Sequence, residues 1–323
     1  MSEVNATTIR TSAEARAREH TLRERIVRFW ASSLGEPRAI FDMFICSTPL
    51  VSGITLEGVE ESDVRGWWVR PKRAAPGEAI LFIHGGGYVR GSAKAYRGFV
   101  SQIVARTGAP AFAVDYPLAP EAPLPAGPNA ALAAWNWLVA QGFDRIAIVG
   151  DSAGGGLTLV TLEQLTQQPR GPAPVAGVVF SPWADLALTG KSTIDPAVQD
   201  PMIRYEYLQA CARKYLGAAS ASDPLASPLF GELRGLPPLL IQVGMDDRLL
   251  DDSRRFAYRA AKAGVPVQLE IWEGMHHVFQ LDVLCIECAG LALDNAARFL
   301  RGAFNRDLSW MRSSAATLMA PPR

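Results

Sequence analysis

Six runs dominate the apolar pattern of this chain: AILFI (79–83), AFAVDY (111–116), RIAIVG (145–150), AGVVFSPW (176–183), PLLIQVG (238–244) and VQLEIW (267–272). As a set they are continuous rather than alternating, the pattern of strands covered on both faces. Stretches with helical periodicity lie between several of them, at 128–141, 153–167, 250–264 and 287–303. Strand–helix alternation of this kind predicts an α/β fold around a mostly parallel sheet flanked by helices. Upstream, ITLEGVE (54–60) and VRGWWVRP (64–71) read as an antiparallel pair around a short turn, which makes eight strands in all.

Two regions break the rhythm. Residues 1–45 are helical in pattern, with Leu22, Ile26, Val27, Phe29, Trp30 and Leu34 at helical spacing. Glu14, Glu19 and Glu24 interleave with their arginines, as in a helix packed on its own protein rather than on a membrane. Residues 185–224 are helix and loop, an insertion expected over the carboxyl edge of the sheet beside the N-terminal helices. Residues 306–323 are small, polar and end in proline, and read as a loose tail.

Equal numbers of acidic and basic residues (32 each in 323) leave no electrostatic footprint for nucleic acid. No apolar run approaches the roughly 18 residues of a membrane span, so stable membrane insertion is not expected. The opening MSEVNATTIRTSAEARAREH lacks the apolar core of a secretory signal, which predicts a cytoplasmic protein. Cys46, Cys211, Cys285 and Cys288 are too few for a disulfide framework in a chain this long. Cys285 and Cys288 form a C-x-x-C with no second pair to complete a zinc site, and read as structural thiols.

The chemistry begins where RIAIVG runs into GDSAGGG and a helical stretch. That is G-x-S-x-G (Gly150, Ser152, Gly154) in strand–turn–helix context, where a sharp turn exposes the serine hydroxyl. At this composition the pattern arises by chance about 0.14 times, against about 0.003 for the H-G-G-G at 84–87, so the second motif is the stronger signal. Three glycines behind His84 give up side chains where main chain must approach a ligand. Backbone N–H groups of Gly86 and Gly87, with that of Ala153 after the serine, are candidate donors to a tetrahedral oxyanion. A phosphate loop would need G-x-x-x-x-G-K-[ST] or G-x-G-x-x-G after the first strand, and neither is present.

A serine nucleophile needs a base, and only His20, His84, His276 and His277 exist. EGMHHVF follows the last strand, where the order serine, acid, histidine places the base; spacing alone leaves His276 and His277 open. The acid belongs in VGMDDRLLDD, where Asp246, Asp247, Asp251 and Asp252 compete. Adjacent histidines invite a metal reading, but no H-E-x-x-H accompanies them, and no metal site is expected.

Taken together, HGGG, GDSAGG and DYPLAPEAPLPA resemble the hormone-sensitive-lipase-like esterases of the α/β-hydrolase superfamily, also called bacterial lipolytic family IV, over about 65–303. The resemblance implies that the acid lies in D-x-L-x-D, matched from Asp247 to Asp251, and the base in G-M-x-H-x-F, matched from Gly274 to Phe279. It therefore implies a triad of Ser152, Asp247 and His277, with Gly86, Gly87 and Ala153 as oxyanion donors. The chain departs from the family's D-Y-R-L-A-P-E-H-P at Pro117 and Ala122, in a stretch expected to be scaffold beneath the oxyanion loop. Trp183 is a candidate for the acyl pocket or for plain packing, and His84 a second candidate substrate contact.

The implied organisation is a catalytic domain from 46–184 and 225–305 under a helical cap from 1–45 and 185–224. The implied activity is hydrolysis of short- to medium-chain carboxylic esters through an acyl-enzyme, with no cofactor; the partner is a small-molecule ester. Lactone or arylacetamide hydrolysis, or a non-catalytic ligand-binding role, are the alternatives. Self-association is not legible in the sequence.

Overall fold

The computed structural model describes residues 4–61, 63–169 and 171–306; apart from Arg306, the tail expected at 306–323 lies outside them. In chain order the elements are β1 (Asn5–Ile9), α1 (Ala13–Ser32), α2 (Pro37–Ile45), β2 (Thr55–Glu60), β3 (Arg65–Arg70) and β4 (Glu78–Ile83). There follow α3 (Ala93–Thr107), β5 (Ala111–Val114), α4 (Ala126–Ala140), β6 (Arg145–Asp151), α5 (Ser152–Gln167) and β7 (Ala176–Phe180). The remainder is α6 (Lys191–Ile194), α7 (Tyr205–Leu216), β8 (Leu239–Gly244), α8 (Leu250–Lys262), β9 (Val267–Trp272) and α9 (Glu287–Phe304).

The strands form one sheet in the order β1-β9-β8-β7-β6-β4-β5-β3-β2. Every pairing is parallel except those made by β3, which runs against both β2 and β5. Strand β4 shows why its apolar run is unbroken. Leu81 and Ile83 enter the core that includes Trp135 and Leu157 from α4 and α5, while Ile80 and Phe82 enter the opposite core with Phe99 and Leu300 from α3 and α9. A strand with a core on each side has no polar face to display.

The sheet has nine strands where eight are expected from sequence. The addition is β1, inside the N-terminal region read as wholly helical. Its β-branched Thr7, Thr8 and Ile9 suit an extended edge, and it pairs in parallel with β9 from Asn5↔Gln268 to Ile9↔Trp272. The chain then turns into α1 at Ser12, whose hydroxyl accepts from the Ala15 N–H at 3.0 Å. Helix α1 packs Leu22 and Ile26 onto Trp272, Met275 and the start of α9. Among the described residues, no helix is long and apolar enough to cross a membrane.

Candidate active site

The motif residues converge at the carboxyl ends of the parallel strands, where loops open outward. Strand β6 ends at Asp151 and α5 begins at Ser152 without a spacer. The turn holds Ser152 at φ +52°, a conformation costly for a residue with a Cβ. The flanking glycines are steric requirements. A Cβ on Gly150 would lie 2.4 Å from the Gly154 carbonyl oxygen, and one on Gly154 would lie 2.1 Å from that of Ile83.

His277, just after β9, stands between Ser152 and Asp247. The Ser152 hydroxyl donates to His277 Nε2 at 2.9 Å, and His277 Nδ1–H donates to both carboxylate oxygens of Asp247 at 3.1 Å. Asp247 Oδ1 also accepts the Leu249 N–H at 2.8 Å, which fixes the carboxylate. All three side chains are buried. Burial pulls the His277 pKa down, but the carboxylates of Asp247 first, then Asp200 and Asp151, together outweigh it and the net shift is upward.

The neighbours that compete in the sequence go elsewhere. Asp246 forms an ion pair with Arg23 of α1 at 2.8 Å. Asp251 accepts from the Ser192 N–H, and Asp252 accepts from the Ala184 and Asp185 N–H groups. His276 is clamped between Glu19 (2.9 Å) and Asp282 (3.3 Å). Burial disfavours its charge, but those two carboxylates overcome this and raise its pKa to about 9. It is an imidazolium that fastens α1 to the loop after β9.

The glycine loop after β4 is held from behind. Asp151 accepts the Gly85 N–H at 2.9 Å and the Tyr96 hydroxyl at 2.9 Å, and burial lifts its pKa to about 7. Gly86 sits at φ +116°, where a Cβ would meet the Arg90 carbonyl oxygen at 2.2 Å. Among the described residues the N–H groups of Gly86 and Gly87 donate to no protein acceptor, and Ala153 lies in the first turn of α5, whose N–H groups have no intrahelical acceptor. The stretch expected as scaffold lies beneath this loop: Tyr116 donates its hydroxyl to the His84 carbonyl at 2.9 Å and stacks on the His84 ring.

A narrow cavity of about 70 Å³ opens onto Ser152 and His277. Its floor includes Gly86 and Gly87; Trp30, Phe41 and Ile45 line it from α1 and α2, and Met202, Ile203, Tyr207 and Leu208 from the insertion. Trp183 and His84, read as candidate substrate contacts, do not line it. Trp183 is fully buried, its indole donating to the Asp185 carbonyl at 3.1 Å and its main-chain N–H to the Ser152 carbonyl. His84 lies between Tyr116 and Tyr96, donating Nδ1–H to the Gly85 carbonyl.

Three residues of consequence went unremarked in the sequence. Asp151 sits inside the GDSAGG motif and could have been singled out there. Tyr96 and Asp200 carry no local signal. Asp200 is buried, accepts the Met202 and Ile203 N–H groups, and lies close to Asp247 and His277. Those three are the only described residues grouped as metal ligands are. Their donor atoms are already engaged: Nδ1 and both oxygens of Asp247 with each other, Asp200 with main-chain N–H groups.

A sheet of this order carrying a serine–histidine–aspartate chain at its carboxyl edge defines a serine hydrolase on the α/β-hydrolase scaffold. Residues 80–281 match the family model described as the alpha/beta hydrolase fold. The chain is 40% identical over 243 residues to an acetyl-hydrolase from Streptomyces hygroscopicus, covering 75% of this chain and 81% of that one. It is 35% identical over 265 residues to an esterase from Acinetobacter venetianus, covering 81% and 87%. The crystal structure of an esterase from the bacterial hormone-sensitive lipase family superposes with a TM-score of 0.83 at 38% identity, over 91% of this chain and 99% of that one. The chain belongs to the α/β-hydrolase fold family and, within it, to the bacterial hormone-sensitive-lipase esterases.

Proposed function

We propose that Ser152 is the nucleophile of this carboxylesterase, His277 its general base and Asp247 the group that holds the imidazole in the productive tautomer. His277 takes the serine proton as Oγ attacks the ester carbonyl. The oxyanion that forms is stabilised by the N–H groups of Gly86, Gly87 and Ala153, each contributing on the order of 3 kcal/mol. His277 then protonates the departing alcohol, and water repeats the sequence on the acyl-enzyme. The observation that carries this reading is the unbroken hydrogen-bond chain from Ser152 Oγ through His277 to Asp247.

The cavity supports the short end of a short- to medium-chain range, because its unfilled space takes a small acyl group before side chains must move. On this reading α1, α2 and the 185–224 insertion act as a cap whose apolar side chains select the acyl group. The relatives named acetyl-hydrolase and esterase point the same way. Hydrolysis of p-nitrophenyl butyrate tests the assignment. The wild-type protein turns it over and is labelled at one serine by a fluorophosphonate; Ser152→Ala does neither. Normal turnover by that variant would remove Ser152 from the role.

A further inference from the structure

Arg90 stands out among the residues around the cavity. Among the described residues it is the only lysine or arginine lining it, on a wall otherwise mostly apolar or aromatic. Its guanidinium lies over the Tyr207 ring, 4.9 Å from the centroid. Among the described residues that guanidinium makes no hydrogen bond and no ion pair. Two carboxylates share the outer hollow that Arg90 also borders, and both have other partners. Glu36 caps α2 by accepting the Ala39 N–H at 2.8 Å and feels the Arg90 charge only at longer range, and Glu121 is paired with Arg38. The contact with Tyr207 takes up no acceptor, so the N–H fork of the guanidinium is unspent. A fork of that geometry matches a carboxylate.

We infer that Arg90 makes this esterase selective for esters carrying a second, anionic group: a carboxylate on the acyl or the alcohol part, received by the guanidinium while Ser152 attacks the ester. The inference rests on the esterase reading above and adds the substrate's charge to it. The reaction itself is unchanged, since water cleaves the acyl–oxygen bond and the remote carboxylate is only bound. Tyr207 holds the guanidinium at the cavity wall, where Arg90 is half-buried between the apolar cavity and the outer hollow.

The test compares matched pairs, followed by titration of released acid. Monoethyl glutarate against ethyl pentanoate places the charge on the acyl side; 3-(butyryloxy)propanoate against propyl butyrate places it on the alcohol side. In one pair the wild-type enzyme should favour the anionic ester by about tenfold in kcat/KM at low salt, as a charge-assisted hydrogen bond gives. That ratio should shrink as salt screens the pair and fall to one or below in Arg90→Met, with Arg90→Lys between. Each neutral ester is the denominator for its own enzyme, so a general loss of activity cancels. A ratio of one or less in both pairs for wild type, with neutral esters hydrolysed, overturns the inference and leaves the esterase reading standing. A high ratio that Arg90→Met keeps also overturns it. Failure to hydrolyse any of the four esters, or p-nitrophenyl butyrate, overturns the esterase reading first.

Discussion

Asp246 and Asp247 are adjacent in the chain, yet their carboxylates serve different parts of the molecule. Asp247 receives the His277 imidazole on both oxygens at 3.1 Å, buried beside the nucleophile, whereas Asp246 reaches outward to Arg23 at 2.8 Å and is nearly half exposed. Asp247→Asn should leave the fold intact and lower kcat on p-nitrophenyl butyrate by about 10⁴-fold, because an amide no longer enforces the tautomer. Asp246→Asn should change kcat less than about threefold and cost under about 1 kcal/mol of stability, as a partly exposed ion pair does. Steady-state kinetics on the two variants decides; equal losses would put the acid assignment in error.

His276 ties pH to stability. Its pKa is raised in the folded protein to about 9 from an ordinary value of 6.5. The charge on the imidazole therefore stabilises the fold fully below pH about 6.5, and that contribution is lost as pH climbs through about 9. Thermal melts should show Tm falling across this window. Glu19→Gln should start lower, by about 3 kcal/mol for a broken buried pair, and show a flatter alkaline decline. An alkaline decline as steep in the variant as in wild type would count against the clamp.

Asp200 should be visible in the pH–rate profile. Catalysis needs neutral His277, whose pKa the Asp247, Asp200 and Asp151 carboxylates push upward against burial. The acid limb of kcat/KM should therefore lie above the ordinary histidine value. Asp200→Asn keeps an oxygen to accept the Met202 and Ile203 N–H groups but removes the charge. Its acid limb should move to lower pH. A limb that stays put or moves upward would mean that Asp200 does not bear on the base.

Glycines in the elbow should tolerate nothing larger. Gly154→Ala brings a Cβ to 2.1 Å from the Ile83 carbonyl oxygen and 2.4 Å from that of His84, all backbone that cannot swing aside. It should yield either no folded protein or a much lower Tm with lost activity. Gly290→Ala, on α9 with only Arg106 Nη2 at 4.0 Å, should be neutral or stabilise by up to about 1 kcal/mol. Circular-dichroism melts of both variants check the contrast, which fails if they melt alike.

The sheet strands covered on both faces were legible because double coverage leaves no choice but continuous apolar sequence. Strand β1 was not, since five residues at an exposed edge carry too short a pattern to stand out from the helical segment that follows. Ser152 and the glycine loop announce themselves because steric demands restrict what can occupy those positions. The partition between Asp246 and Asp247 rested on resemblance, for two neighbouring carboxylates look alike until Arg23 and His277 are brought to them from distant parts of the chain. Arg90, Asp200 and the wall from α1, α2 and α7 could not be read as site residues, because their roles come from tertiary approach and not from local pattern.

The pairing of β1 with β9 also imposes a sequence of events on the ribosome. Asn5 meets Gln268, so the edge strand and the helix behind it must wait, unsatisfied, while the intervening chain is made. Trp30, Phe41 and Ile45 reach the cavity from this same end. Phe41 and Ile45 pack against α3, made long before β9, so the two halves of the roof over Ser152 depend on partners from opposite ends of the chain.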